Sequence, residues 1–240
     1  MSVSTDGHTV KRFDQQLASL RSLVLEMGGL VEDQINRAVQ ALQDEDIAAA
    51  REVVARDHVV NGFDVRADEE VVNLLALRQP VGSDLRMVLS MAKTVTDRER
   101  IGDEAQKIAR MVTQIYDGNS APNARLLRDV ANMARLAANM LHGALDALAR
   151  MDVDKAVEIA CGDEELDSEF QSALRRLVTF MMEDPRTIGH AIDVLFMIKA
   201  LERIGDHSKN IAEYVVYLVK GKDVRHVTIE TLAAQGRNGS

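Results

Sequence analysis

This 240-residue chain reads as all-α, two tandem three-helix bundles, on three grounds. Aromatic residues make up 3%, Trp is absent and only three prolines occur, while Ala, Leu, Val, Glu, Arg and Met are plentiful; such a composition suits long helices better than sheets. Apolar residues recur at helical spacing between a few short breaking segments. The pattern then repeats: ALQDEDIAAAREVVARD (41–57) aligns with ALARMDVDKAVEIACGD (147–163) at an offset of 106, and ERIGDEAQKIA (99–109) with ERIGDHSKNIA (202–212) at an offset of 103. The three-residue difference falls around Pro80 and Pro185, where a loop absorbs it.

A first helix is expected over 9–43, closed by the acidic turn Asp44-Glu45-Asp46, and Asp46 is a candidate N-cap for a second helix over 47–78. Gly28-Gly29 and Asn61-Gly62 lie inside these two helices, but the apolar pattern continues on both sides, which predicts a bend and not a break. Pro80 follows LLALRQ and separates a third helix over 83–117. A ten-residue linker, Asp117 to Leu126, contains DGNSAPNA and leads into a fourth helix over 124–150. Asp152 is the candidate cap of a fifth helix over 153–183, and Pro185 separates it from a sixth over 187–220. The first repeat thus covers 9–117, the second 124–220, and 221–240 is a short C-terminal tail. Each repeat is a helix, an acidic turn, a helix, a Pro turn and a helix, which closes as an antiparallel bundle.

With 29 Lys plus Arg against 38 Asp plus Glu, the net charge of −9 makes nucleic acid an unsuitable partner. No run approaches the roughly 18 to 20 apolar residues of a membrane span, and the start, MSVSTDGHTVKRF, lacks the apolar core of a signal peptide, so a cytoplasmic protein with no direct membrane insertion is expected. The single cysteine, Cys161, forms no internal disulfide and is expected to pack as a small side chain. No GxxxxGK, GxGxxG or GxSxG occurs, and nothing in the sequence resembles an active site, so a non-enzymatic protein is expected.

The motif that carries chemistry is ERIGD, at matching points of the third helix of each half. Glu99 and Asp103, like Glu202 and Asp206, are spaced i, i+4 and leave one face of one helix, as carboxylates that share a cation must. Without a cation they repel, and hard oxygen donors suit Mg, Ca, Mn or iron. Leu85, Val88, Leu89, Ala92 and Val95 form a stripe, and at 100° per residue both acids fall within roughly 20° of its centre. Ile188, Ile192, Leu195 and Ile198 do the same for Glu202 and Asp206, while the apolar residues beyond each motif lie across the axis; burial is therefore expected to change sides at the motif. Desolvated acids need a compensating charge. A metal supplies it, or an ion-pair network with Arg98, Arg100 and Arg203. Arg100 and Arg203 would orient the acids around a metal, and Gly102 and Gly205 imply close approach of another backbone. His207 reads as a surface histidine, and no histidine has a Glu-x-x-His partner of the di-iron type. Met87, Met91, Met181, Met182 and Met197 read as core or as a pliable helix interface.

In MGGLVEDQI (27–35), RQPVGSDLR (78–86), both ERIGD motifs, EDPR (183–186) and VKGKDVRH (219–226), the chain resembles the PhoU family of phosphate-uptake regulators, over about residues 9 to 226. The resemblance implies a PhoU-like pair of three-helix bundles with metal clusters, iron or zinc, on Glu99, Asp103, Glu202 and Asp206. It implies a negative regulator of phosphate uptake and of the phosphate-starvation response. Such a protein couples the ATPase of the phosphate-specific ABC transporter to a phosphate-sensing histidine kinase, as a homodimer held peripherally at the inner membrane through its partners. Arg78, Arg86, Arg100 and Arg203 are expected to touch partners or to hold the acid sites. The second copy carries EDPRTIGHA where the first has RQPVGSDLR, so the two sites are expected to differ. The alternative class is a metal-storage or redox carboxylate bundle.

Overall fold

The computed structural model describes residues 7–117 and 122–224, and everything described is helix or short connection. In chain order the elements are α1 (Gly7–Gln43), α2 (Ile47–Arg78), α3 (Gly82–Tyr116), α4 (Ala124–Arg150), α5 (Val153–Glu183), a 3-10 turn (Pro185–Thr187) and α6 (Ile188–Lys220). Both expected caps form: Asp46 accepts from the Ala49 amide at 2.9 Å and Asp152 from the Lys155 amide at 3.0 Å. Asn123 caps α4 in the same way, accepting from Arg125 at 3.0 Å. α2 ends where Gln79 turns left-handed before Pro80, and α6 ends at Gly221 with φ 70°, a conformation that favours glycine. Gly28-Gly29 and Gly62 interrupt neither α1 nor α2. The tail beyond Val224 and the middle of the linker lie outside the described residues.

Helices α1–α3 pack together, α4–α6 pack together, and the two bundles join through α3 against α6 and α1 against α4. The α3–α6 pair is antiparallel, since Asp97 meets His207 in its middle while Gln114 donates to Asp193 at 3.0 Å further along. Equivalent helices meeting antiparallel define an approximate two-fold axis, which crosses the pair near the fully buried Ile101 and Ile204, inside the two ERIGD motifs. On one broad face the helices therefore run α2, α3, α6, α5, with α1 and α4 behind.

Burial does not change sides at the motif. Helix α3 has neighbours on three sides, so one buried strip, through Val88, Met91, Val95, Arg98 and Ala105, faces its own bundle, and a second, through Thr94, Asp97, Ile101, Glu104 and Ile108, faces α6 or lies beside it. Leu85, Leu89 and Ala92 are the rim of the α2–α3 groove, half-buried or exposed, and the acids continue that rim. In α6, Ile188 and Ile192 are exposed in the same way. The motif glycines admit side chains and not a second backbone: a Cβ on Gly102 would stand 3.3 Å from Gln34 Oε1, and one on Gly205 would overlap Leu166 of α5.

Candidate metal centres

Two acidic clusters flank the approximate axis, one in each outer groove. In the α2–α3 groove Glu99 and Asp103 are half-buried, and α2 adds Asp57 and Asp64. Burial pushes the Glu99 carboxyl above the usual range; Asp103, Asp64 and Asp57 push the same way and Arg100 opposes them. Asp64 is raised as well, by desolvation and by Asp68. In the α5–α6 groove Glu202 and Asp206 meet Asp163 and Asp167 of α5. The Asp206 carboxyl is pushed up to about 6, first by desolvation along the groove and then by Glu202, Asp163 and Asp167. Its outer edge is nevertheless open to solvent. Asp167 is raised by desolvation, Asp163 and Glu202, against Lys209 and Lys199.

The clusters differ in counter-charge. In the second, Lys209 Nζ stands 2.7 Å from Asp163 and Lys199 Nζ 2.6 Å from Glu202. Among the described residues no lysine pairs with the acids of the first, and the exposed Arg100 is the cation that acts on Glu99. Carboxylates gathered in a partly desolvated groove, with Glu99 and Asp206 raised first by burial and then by their acidic neighbours, are a donor set that suits a hard cation. Among the described residues no three Asp, Glu, His or Cys side chains already converge tightly enough to hold an ion.

Apart from Arg100, the arginines singled out in the sequence do not gather at the acids. Arg203 crosses the repeat boundary to the buried Glu104, 2.7 Å away, which Lys107 also meets at 2.8 Å. Arg78 donates to Gln16 of α1 at 2.8 Å. Arg86 lies against Gly221 at the C-terminus of α6, where a positive charge complements the helix dipole. Among the described residues Arg98 joins no ion-pair network: it is fully buried, its three guanidinium nitrogens have no hydrogen-bond partner there, and burial lowers its pKa to about 9. Nor is His207 at the surface. It is buried at the α3–α6 interface, and its Nδ1 donates to Asp97, a carboxylate that can only accept, at 2.8 Å; Asn210 donates to the same oxygen at 3.1 Å. Cys161 is half-buried, its thiol pushed up by burial and by Glu164.

The α2 and α5 acids are not among the residues that the sequence pattern singles out, although its longest aligned segments end on Asp57 and Asp163, which the duplication places in register.

No described helix is long and apolar enough to cross a membrane. The PhoU domain family matches this chain twice, over residues 24–112 and 130–215. A relative from Pseudomonas putida, a phosphate-specific transport system accessory protein PhoU homolog, is 45% identical over 233 residues, covering 97% of this chain and 90% of its own. The crystal structure of PhoU from Pseudomonas aeruginosa superposes with a TM-score of 0.83 at 46% identity, covering 88% of this chain and 100% of that one. The phosphate transport system regulatory protein PhoU from Streptococcus pneumoniae gives 0.80 at 32% identity, over 88% and 99%.

Proposed function

The chain belongs to the PhoU family, and from that premise we propose that it is a non-enzymatic negative regulator of phosphate uptake and of the phosphate-starvation response. It works in the cytoplasm, peripheral to the inner membrane, between the ATPase of a phosphate-specific ABC transporter and a phosphate-sensing histidine kinase. The supporting observation is likeness over nearly the whole length to accessory proteins of phosphate-specific transport. A regulator shifts a partner only by binding one of its states more tightly than another, so its function lies in surfaces and their charge.

The acid clusters are the chemical element of that surface. Glu99, Asp103, Asp57 and Asp64 would hold one metal centre and Glu202, Asp206, Asp163 and Asp167 the other; the oxygen donors suit a hard cation, and the family resemblance makes iron or zinc the expected ion. Bound metal would offset the desolvation, and then the repulsion between acids, that raise Glu99 and Asp206. The test is a strain lacking its own regulator, supplied with this chain or with Glu99, Asp103, Glu202 and Asp206 all replaced by alanine. The natural chain should repress a phosphate-starvation reporter in phosphate-rich medium and carry metal on elemental analysis. The quadruple variant should lose both; if it keeps both, the assignment is wrong. Oxygen consumption by the iron-loaded chain would favour the metal-storage or redox reading instead.

A further inference from the structure

The two repeats differ between their first two helices. In the first repeat α1 and α2 leave a cavity of about 80 Å3, walled by Leu30, Val53 and Val60, with the exposed Arg37 and Arg56 at its rim. Gln34 lines it and is 6% exposed, and neither its amide nitrogen nor its amide oxygen has a hydrogen-bond partner among the described residues. A buried amide left open at both atoms is costly and calls for an occupant. The second repeat shows how the same fold does without one. At the offset of 106, Gln34 becomes Met140, Val53 becomes Ile159, Val60 becomes Leu166, and Arg37 and Arg56 become Gly143 and Gly162. Packing agrees with this pairing: Gln34 and Val60 approach Gly102, and Met140 and Leu166 approach its counterpart Gly205. Ile159 and Leu166 press so closely on Gly143 and Gly205 that a Cβ on either glycine would overlap them. Positions that the second repeat fills with apolar bulk therefore carry, in the first, smaller walls, an open amide and two guanidinium groups.

These groups define the chemistry of a ligand. The Gln34 amide offers a donor and an acceptor side by side, a pair that one hydroxyl satisfies by accepting from Nε2 and donating to Oε1. The walls are aliphatic and suit methylene groups. At the rim, Arg37 already pairs with Asp33 at 2.7 Å, whereas Arg56 has no acidic partner among the described residues and is available to a carboxylate. An apolar cavity of roughly 150 Å3 takes a six-carbon ring, so this one takes about three or four heavy atoms and leaves the carboxylate at the rim. Inorganic phosphate suits the site badly, because its four hydrated oxygens would face aliphatic walls and a single amide. We propose that the α1–α2 cavity of the first repeat binds a short linear hydroxy carboxylate. Its hydroxyl meets Gln34, its stem lies between Leu30, Val53 and Val60, and its carboxylate meets Arg56. None of the acids of the two clusters lines the cavity, so the site is separate from the candidate metal centres.

Isothermal titration calorimetry of the full chain with glycolate, 3-hydroxypropionate and 4-hydroxybutyrate tests this, with butyrate and inorganic phosphate for comparison. The expected result is saturable binding of at least one hydroxy carboxylate with a Kd of about 1 mM or tighter, 4-hydroxybutyrate being the best of the three. Butyrate should bind at least tenfold more weakly than 4-hydroxybutyrate, because it leaves Gln34 unpaired, and phosphate should neither bind nor compete. Gln34→Met and Val60→Leu each install the residue of the second repeat and should abolish binding. Arg56→Ala, at the surface, should weaken it at least fivefold, and melting curves confirm that the three variants remain folded. If none of the three hydroxy carboxylates saturates the natural chain, the cavity holds water alone and the inference falls. It falls equally if butyrate or phosphate binds as tightly as 4-hydroxybutyrate, or if binding survives both Gln34→Met and Val60→Leu, which would place the ligand elsewhere on the chain. Each of these outcomes leaves the regulatory reading standing.

Discussion

Arg98 is the residue whose place the sequence conceals most fully. In the sequence it is one more arginine before an acidic motif, and in the fold it is fully buried beside Gly28 of α1, with no acceptor for any guanidinium nitrogen among the described residues. The one available signal was its repeat counterpart, Leu201, which is also fully buried. Replacing an uncompensated buried charge with a packed apolar residue stabilises proteins by about 1 to 4 kcal/mol, so Arg98→Leu should raise the urea midpoint; a lower midpoint would mean that the guanidinium has a partner worth more than its desolvation. Asp206 makes a prediction with the pH axis. Its carboxyl, raised to about 6, is favoured in the protonated form by the fold, so its contribution to stability is greatest near pH 4 and is lost as pH rises through about 6. Because its outer edge is solvated, the effect should stay below about 1 kcal/mol. In metal-free protein, Asp206→Asn should flatten the fall in melting temperature between pH 4 and pH 7, and an unchanged slope would assign that fall to other carboxyls.

At the scale of the helix, local chemistry made the ends legible and tertiary surroundings hid the faces. Asp46, Asp152, Pro80 and Pro185 act on their own few neighbours, so each helix begins and ends within about three residues of expectation. The buried side of α3 was misread because a helix with three neighbours has no single apolar stripe, and the stripe through Leu89 turned out to be a groove rim. The helical glycines separate the same two influences. Gly62 of α2 has nothing within 4 Å of a would-be Cβ, so Gly62→Ala should add about 0.5 to 1 kcal/mol through helix propensity alone. A methyl at Gly205 overlaps Leu166, itself fully buried, so Gly205→Ala should cost about 1 to 3 kcal/mol in overpacking despite the same propensity gain. Chemical denaturation of the two variants side by side reads the difference, and equal shifts would mean that α5 yields at Leu166 without cost.

For the molecule as a whole, the duplication was readable because two stretches of identical or similar residues recur at nearly constant offset, whereas the way the halves meet depends on the register between α3 and α6, which no local pattern encodes. That register is set by polar groups. Asp97 accepts from His207 and Asn210, Glu104 takes Arg203 and Lys107, and Gln114 reaches Asp193, all along one antiparallel pair. Sliding α6 by one turn would break all three sets while leaving apolar contacts to re-form, so these bonds select one arrangement and hold the ERIGD motifs beside the axis with their acids turned outward into separate grooves. Asp97→Ala leaves the buried His207 ring and the Asn210 amide without their acceptor, at an expected cost of about 2 to 3 kcal/mol. His207→Ala forfeits the same bond from the other side. Since both changes remove one interaction, the double variant should be less destabilised than the sum of the singles by more than about 0.5 kcal/mol. Urea unfolding of the three variants measures that coupling, and strictly additive losses would mean that packing, and not this pair, fixes how the two repeats are joined.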